Sequence, residues 1–254
     1  MDLPLWLYPL LFLTGFAAGL VDAIAGGGGL IAVPVLLNLG LPVPVALGTS
    51  KLQSSFGSLS ASVHYLRQGV VRFRDCRVGI IASATGSLIG AAVVHAIDSR
   101  LLERLIPWLL AAIVVYAILQ PRAGSREHPP RLPSPLFFTF TGLGLGFYDG
   151  FFGPGAGSFW TVALIAVMGY DFMRATGTTK IVNAASALAA LGFFMVAGHV
   201  HYAAGLTMGA GQVIGARIGS GLVVKKGARF VRPVFLTMVV LVMLRLLWVS
   251  HARG

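Results

Sequence analysis

Apolar stretches of about 20 residues, the length that crosses the hydrocarbon core of a bilayer as a helix, recur along the whole chain. Apolar residues make up 56% of the 254 residues and charged residues only 11%. Soluble domains carry about a quarter charged residues, and disordered chains contain far fewer apolar ones. The pattern therefore excludes both of those classes and predicts an all-α membrane protein.

The apolar pattern predicts five segments, a polar proline-rich linker and five further segments. The first five cover about 4–25, 30–39, 44–66, 76–97 and 101–120, and the second five about 136–152, 157–169, 173–197, 202–224 and 230–250. We expect 1–120 to form a first transmembrane repeat, 121–135 a cytoplasmic linker and 136–254 a second transmembrane repeat. The short segments 30–39 and 157–169 either cross or re-enter, which gives about eight to ten membrane segments.

The two halves carry the same motifs in the same order, which indicates an internal duplication. The pattern GxxxGxxD at 15–22 recurs at 142–149, and GTSK at 48–51 recurs as GTTK at 177–180. The pattern GxxxG at 86–90 recurs at 215–219 and predicts close helix packing in both places. An odd number of crossings per repeat turns the second copy upside down. We therefore expect two inverted five-segment repeats, an arrangement common among secondary transporters.

The net charge is +11, from 19 Lys and Arg against 8 Asp and Glu. In a soluble chain this excess would suggest nucleic acid, but here the basic residues concentrate in alternate loops. Loops 67–77 and 225–232 and the linker are rich in Arg or Lys. The repeat partner of the first loop, 198–202, has no Lys or Arg, and that of the second, 98–104, has two Arg balanced by Asp98 and Glu103. The positive-inside rule then places the linker inside and both termini outside. We expect a multi-pass plasma-membrane protein without a nucleic-acid partner.

Five charged side chains are predicted within the membrane, namely Asp22, Lys51, Asp149, Lys180 and Arg217. A charge at a helix centre costs about 2.5–3.5 kcal/mol on insertion scales, so the duplicated Asp and Lys require a compensating role. For the aspartates two interpretations stay open: a coupling or gating site for a proton or cation, or a structural carboxylate that caps a short helix or pairs with a lysine. The lysines either face a shared cavity or extend to the membrane surface, as Arg217 is expected to do.

Glycine-rich breaks lie at corresponding places, Gly26–Gly29 and Gly153–Gly157. Helices that begin there would present backbone N–H groups and positive dipole ends to an anion, although glycine also permits simple tight packing. Nearby hydroxyls either donate to the anion or bond their own helix. Asp22 and Asp149 are the candidate coupling or gating residues. The candidate substrate-binding residues are Gly27, Gly28, Gly29, Thr49, Ser50, Lys51, Ser54, Gly155, Gly157, Thr178, Thr179, Lys180 and Asn183.

These motifs carry a family resemblance over nearly the whole chain. The segment GFAAGLVDAIAGGGGLIAVPVLLNLGLPVPVALGTSK, with GLGLGFYDGFFGPGAGSFW and GTTKIVN in the second half, resembles the sulfite exporter TauE/SafE family. The resemblance implies a plasma-membrane carrier for small sulfur-containing anions such as sulfite, sulfoacetate or other organosulfonates. Pro154 and Ala156 stand where the first half has glycines, so the two halves of a site need not be equivalent.

The leading hypothesis is a secondary transporter that holds its anion with half-helix N-termini, Thr and Ser hydroxyls and buried lysine, with protons as a candidate coupling ion. The alternative is an anion channel of the same architecture. A membrane enzyme or a chaperone-like partner of sulfur metabolism is a third. The sequence contains no GxSxG, HExxH, Walker A or CxxC motif, so we expect no enzyme activity, no cofactor and no metal.

Overall fold

The computed structural model describes residues 3–98, 101, 102, 108 and 129–226. Regular secondary structure within these residues is helical throughout. Most of the predicted segment 101–120 and of the linker, and all of the segment 230–250, lie outside the described residues. A short 3₁₀-helix, Phe73–Cys76, precedes α4. The α-helices are α1 (Leu7–Ala25), α2 (Gly29–Asn38), α3 (Val43–Arg67), α4 (Arg77–Ala96), α5 (Ser134–Phe151), α6 (Ala156–Met168), α7 (Phe172–Val196) and α8 (Tyr202–Lys226).

Local signals determine where these helices begin and end. Proline lies in the first turn of α3 and of α5, where its missing N–H leaves no helical hydrogen bond unmade. The Asp171 carboxylate caps α7 by accepting from the N–H groups of Met173 and Arg174, at 2.7 and 3.0 Å. Gly169 ends α6 in the left-handed conformation, with φ of 69°. Because these signals are local, the predicted helix ends agree with the structure to within about three residues.

Three of the described helices are long and apolar enough to cross a membrane, over Leu7–Ile24, Phe73–Ala96 and Phe172–Val196. The helices α2 and α6 are apolar but have only 10 and 13 residues. At 1.5 Å per residue they extend about 15 and 20 Å, less than the hydrocarbon core of about 30 Å. Neither short helix is therefore long enough to cross the hydrocarbon core by itself.

The two halves of the chain are interlocked. The helix α1 packs along α8, α4 packs along α5, and α3 packs against both α7 and α8. Glycines make these contacts close: a Cβ on Gly86 would lie 2.3 Å from the Leu143 carbonyl oxygen, and one on Gly215 would lie 2.1 Å from that of Phe16. The close helix packing predicted from the duplicated GxxxG pattern is therefore confirmed at both places.

Candidate functional site

The two glycine breaks touch each other at the centre of the bundle. Gly26 ends α1 with φ of 75°, a conformation that side chains other than glycine adopt at a cost. A Cβ on Gly26 would lie 2.3 Å from the carbonyl carbon of Gly157, and a Cβ on Gly157 would lie 2.6 Å from the Cα of Gly26. Both glycines are therefore required for the backbones of the two halves to come this close.

The short helices begin beside this contact. The N-cap residue of α2 is Gly28, and that of α6 is Gly155, whose φ is 84°. Helix N-termini carry unpaired N–H groups and a partial positive charge. The breaks thus bring two such ends to one place.

A small cavity lies against these helix ends, with about 40 Å³ open to the centres of water molecules. Since one water needs about 10–15 Å³ by this measure, the cavity has room for about three waters or a small oxyanion. Both halves of the chain contribute to it. The lining residues are Asp22, Gly26, Gly29, Ser50, Lys51, Ser54, Ser58, Asp149, Phe152, Gly153, Pro154, Gly157, Asn183 and Ala187.

One buried ion pair joins α3 of the first half to α5 of the second. Lys51 Nζ lies 2.8 Å from Asp149 Oδ1 and also donates a hydrogen bond to the Asp149 carbonyl oxygen. The other carboxylate oxygen, Oδ2, accepts a hydrogen bond of 2.6 Å from the Ser186 hydroxyl. Both oxygens of this carboxylate are therefore paired.

A second buried ion pair joins α7 of the second half to α1 of the first. Lys180 Nζ lies 2.9 Å from Asp22 Oδ2. Asp22 Oδ1 accepts only a long bond of 3.4 Å, from the backbone N–H of Gly28 at the start of α2. For Asp22, the structure thus shows the pairing with a lysine that the structural interpretation proposed, together with a long contact to the N-cap residue of the short helix.

The burial of the lysines excludes the alternative in which they reach the membrane surface. Lys51 is 4% exposed and Lys180 is 0% exposed. Arg217 differs, since it is exposed and its guanidinium contacts the His64 ring. Taking a charge out of water is costly unless a partner compensates it, which accounts for a carboxylate beside each buried lysine. The two lysines and two aspartates together carry no net charge.

The remaining predicted residues divide between the cavity and its surroundings. Gly29, Ser50, Ser54, Gly157 and Asn183 line the cavity, together with Asp22, Lys51 and Asp149. The other candidates are not among the lining residues: Gly27, Gly28, Thr49, Gly155, Thr178, Thr179 and Lys180.

Several of the predicted hydroxyls already have protein partners. Thr179 Oγ1 lies 3.1 Å from Thr161 Oγ1, and the Ser54 hydroxyl donates to the carbonyl oxygen of Lys51 in its own helix. Thr178 Oγ1 and Asn183 Oδ1 are buried and have no hydrogen-bond partner among the residues described. The polar atoms that remain available to a ligand are therefore fewer than the sequence pattern indicates.

Ser186 and the cavity wall at Phe152, Pro154 and Ala187 were not among the predicted substrate-binding residues. The sequence does contain a signal for Ser186, because it continues the three-residue spacing that Lys180 and Asn183 begin on one face of α7. No comparable signal exists for the wall residues, since their side chains carry no polar group.

The turn between α7 and α8 packs on the first GTSK motif. The backbone N–H of His201 donates to Thr49 Oγ1 over 2.9 Å, and a Cβ on Gly48 would lie 2.0 Å from the His199 carbonyl oxygen. The His199 ring lies 5.0 Å from that of His95. Burial lowers the pKa of His199, and the neighbouring His95 lowers it further. The packed turn therefore favours the neutral form of His199.

Comparison with known proteins places the chain among membrane transporters. The family model described as sulfite exporter TauE/SafE matches residues 11–246. A probable membrane transporter protein of Haemophilus influenzae is 39% identical over 94% of this chain and 93% of its own length. The probable membrane transporter protein YfcA of Escherichia coli is 37% identical over 96% of this chain and 90% of its own length.

A probable membrane transporter protein from Sinorhizobium, ORF9, is 39% identical over 98% of this chain and 99% of its own length. No solved structure matches the chain. The names of these relatives agree with the expectation of a transporter rather than an enzyme. Together with the apolar helices, they indicate a multi-pass membrane protein with a small-molecule substrate.

Proposed function

Because the chain belongs to the sulfite exporter TauE/SafE family, we propose that it is a secondary transporter for a small sulfur-containing anion, such as sulfite, sulfoacetate or another organosulfonate. One observation carries the proposal: a small cavity lies where two short apolar helices begin, and it is lined by the buried Lys51 and by Asp22, the partner of the buried Lys180. N–H groups at helix N-termini and ammonium groups are the donors that bind oxyanions.

In this proposal the anion occupies the cavity between the breaks. Backbone N–H groups near Gly29 and Gly157 bind it from the helix ends, and Ser50, Ser54 and Asn183 contact it from α3 and α7. The lysines reach it only by leaving their carboxylate partners, since each ammonium is paired in this structure. Anion binding to either lysine thus competes with the ion pair of that lysine.

We further propose that the halves are inverted repeats that rock against each other about this site. The helix contacts support this arrangement because they occur in equivalent sets: α1 with α8 and α5 with α4, α3 with α8 and α7 with α4. Equivalent glycines also meet equivalent carbonyl groups, as Gly90 does at Phe147 and Gly219 at Leu20. The proposed orientation in the plasma membrane has the linker 121–135 inside and both termini outside.

The contact between the two breaks favours a carrier over a channel of the same architecture. Gly26 and Gly157 touch, and the two ion pairs lie beside the cavity. A channel needs a continuous open polar path, whereas alternating access requires a site that is closed on at least one side at any time. The small cavity and its close backbone contacts agree with the second requirement.

Flux through the purified protein in liposomes tests the proposal. Radiolabelled sulfite, sulfate, thiosulfate and sulfoacetate are compared with a neutral solute of similar size. We expect saturable uptake that is accelerated by the same anion on the opposite side, which is the behaviour of a carrier. Equal flux of all solutes, the neutral one included, would contradict the anion site, and flux that rises linearly with concentration would indicate a channel.

A further inference from the structure

Building on the transport function proposed above, we propose that the two ion pairs have different tasks. Asp22 lines the cavity and Lys180 lies behind it as its partner. The anion displaces Asp22, which takes up a proton in exchange, and so binds to Lys180. The pair of Lys51 and Asp149 stays closed throughout and holds the two halves together. The site is therefore functionally asymmetric although the motifs that build it are duplicated.

The hydrogen bonds of the two carboxylates carry this assignment. Asp149 has donors on both oxygens, Lys51 on one and Ser186 on the other, at 2.8 and 2.6 Å. Asp22 has one short bond, from Lys180 at 2.9 Å, and one long bond of 3.4 Å from a backbone N–H. A carboxylate with fewer and longer bonds loses less when an anion replaces it. The Asp22 pair is therefore the easier one to open.

The lysines differ in the same direction. Lys51 donates to two oxygens of Asp149, the side-chain oxygen and the carbonyl oxygen. Lys180 donates to Asp22 alone within the described part of the chain. An ammonium has three N–H donors, so Lys180 retains two for an incoming oxyanion while Lys51 retains one. An anion with several oxygens thus gains more hydrogen bonds at Lys180.

A difference in sequence explains the asymmetry. Ser186, the second donor to Asp149, lies 129 positions after Gly57, the same offset that relates Lys180 to Lys51. Glycine has no hydroxyl, so Asp22 lacks the bond that Asp149 receives. The place of a side chain at Gly57 is filled by Gln212, whose Nε2 would lie 2.5 Å from a Cβ there. Both amide atoms of Gln212 are buried without a partner among the residues described, so this amide does not substitute for the serine.

The proposed exchange balances in charge and in protons. Before binding, the Lys180 ammonium and the Asp22 carboxylate sum to zero. After binding, the ammonium pairs with a monovalent anion and Asp22 is a neutral carboxylic acid, so the sum is again zero. The proton comes from the same solution as the anion and leaves with it. A buried carboxylate without a partner would be costly, which is why displacement and protonation occur together.

The groups around Asp22 are compatible with this role. Lys180 of α7 is its partner, Lys51 and Asp149 are paired to each other across the cavity, and Tyr65 of α3 donates to the carbonyl oxygen of Ala23 beside it. The packed helices α2 and α6 contain no titratable side chain. On α8, Arg217 contacts His64 and not the carboxylate. Of the two buried carboxylates, Asp22 is thus the one that an anion can displace from its lysine by breaking a single hydrogen bond to that lysine.

Matched isosteric variants test the assignment. Binding of sulfite and of sulfoacetate to detergent-purified wild type, Asp22→Asn and Asp149→Asn is measured between about pH 6 and 8, with all three checked for monodispersity. In Asp22→Asn, Lys180 has no charged carboxylate partner, so an anion can bind to it without the uptake of a proton. We therefore expect the affinity ratio of Asp22→Asn to wild type to rise about tenfold per pH unit, as uptake of one proton requires. The same ratio for Asp149→Asn should stay within about twofold across the range. Titration of the anion itself cancels in these ratios.

Each outcome decides one question. If Asp149→Asn removes the pH dependence, or if both variants remove it equally, the assignment is overturned. If the wild-type protein neither binds nor transports any of the anions, the proposed transport function is wrong and the assignment is wrong with it. If wild type transports but neither ratio changes with pH, the assignment alone is overturned. If Asp149→Asn does not fold, Ser186→Ala takes its place, because this variant weakens the same ion pair without removing a charge. Anion binding by Ser186→Ala that keeps the wild-type pH dependence supports the assignment. Loss of that pH dependence overturns the assignment.

Discussion

Lys51 and Asp149 come from different halves of the chain, yet the lysine ammonium lies 2.8 Å from a carboxylate oxygen of the aspartate. Lys180 and Asp22 repeat the relationship in the opposite direction, at 2.9 Å. Two pairs of this kind cross-link the halves at the cavity. Movement of one half relative to the other therefore acts on these ion pairs. The pairs are linked in this way to any change in access to the cavity.

The first prediction concerns the stability of the Lys51 pair. Lys51→Ala leaves the Asp149 carboxylate buried without its cation and should lower the free energy of unfolding by about 3–5 kcal/mol. The double variant Lys51→Ala, Asp149→Ala removes both charges and should recover much of that loss. Thermal unfolding of the two proteins in one detergent measures the difference. A double variant no more stable than Lys51→Ala would show that the pair contributes nothing beyond packing.

The second prediction concerns Ser186. Ser186→Ala removes a hydrogen bond to a charged, buried carboxylate and should lower the free energy of unfolding by about 1.5–3 kcal/mol. Ser60→Ala is the control, because the Ser60 hydroxyl is exposed and bonds a neutral carbonyl oxygen at 3.2 Å. Equal melting temperatures for the two variants would contradict the role given to Ser186.

The third prediction concerns the contact between the breaks. Gly26→Ala should abolish transport and lower the yield of folded protein, since its Cβ would overlap Gly157 in addition to the strain of about 1–3 kcal/mol at positive φ. Gly40→Ala is a matched control, with φ of +82° and no atom within 4 Å of the added Cβ. It bears the backbone strain alone and should retain transport. Similar losses in both variants would show that conformation, and not close approach, requires glycine at Gly26.

The fourth prediction concerns pH and the turn between α7 and α8. The pKa of His199 is lowered in the folded protein, so the unfolded chain binds the proton more readily. The corresponding contribution to stability is present above the ordinary histidine pKa of about 6.5 and is lost as the pH falls below it. His199→Gln should therefore lose less stability than wild type between about pH 7 and 5. Melting temperatures across that range test this, and parallel curves would contradict it.

The fifth prediction concerns orientation in the membrane. Cys76 is the single cysteine of the chain, so a Cys76→Ala background allows one cysteine to be introduced at a time. Leu101→Cys, at the end of the segment 101–120 that is proposed to lie outside, should react with a membrane-impermeant maleimide on intact cells. Gln68→Cys, in the basic loop proposed to lie inside, should react only after permeabilisation. The reverse pattern would invert the topology derived from the loop charges.

Much of the local structure could be predicted from the sequence. The boundaries of α1 to α8 follow from apolar run lengths and from local signals such as the caps at Asp171 and Gly169. The breaks at Gly26 and Gly153 were visible for the same reason, because glycine clusters and helix ends are properties of neighbouring residues. Burial of the two lysines was one of the two interpretations that their position inside apolar helices left open.

The partners of those lysines could not be predicted, and the reason is physical. Lys51 and Asp149 are 98 positions apart and meet only because α4 packs along α5 and α3 packs against α7. No periodicity within either helix encodes that meeting. For the same reason the sequence pattern overestimated the available donors, since the bond between Thr161 and Thr179 arises when α6 packs on α7.

Composition, apolar run lengths and duplicated motifs alone determined a helical membrane protein with broken helices and an Asp and a Lys in each half. Those features are local or periodic, and an apolar segment becomes a helix in a bilayer whatever surrounds it. Only the tertiary structure decided that each lysine pairs with the aspartate of the other half, and that Ser186 supports one carboxylate while Gly57 leaves the other with fewer bonds. Such differences depend on distances between separate helices, which exist only once the helices have packed.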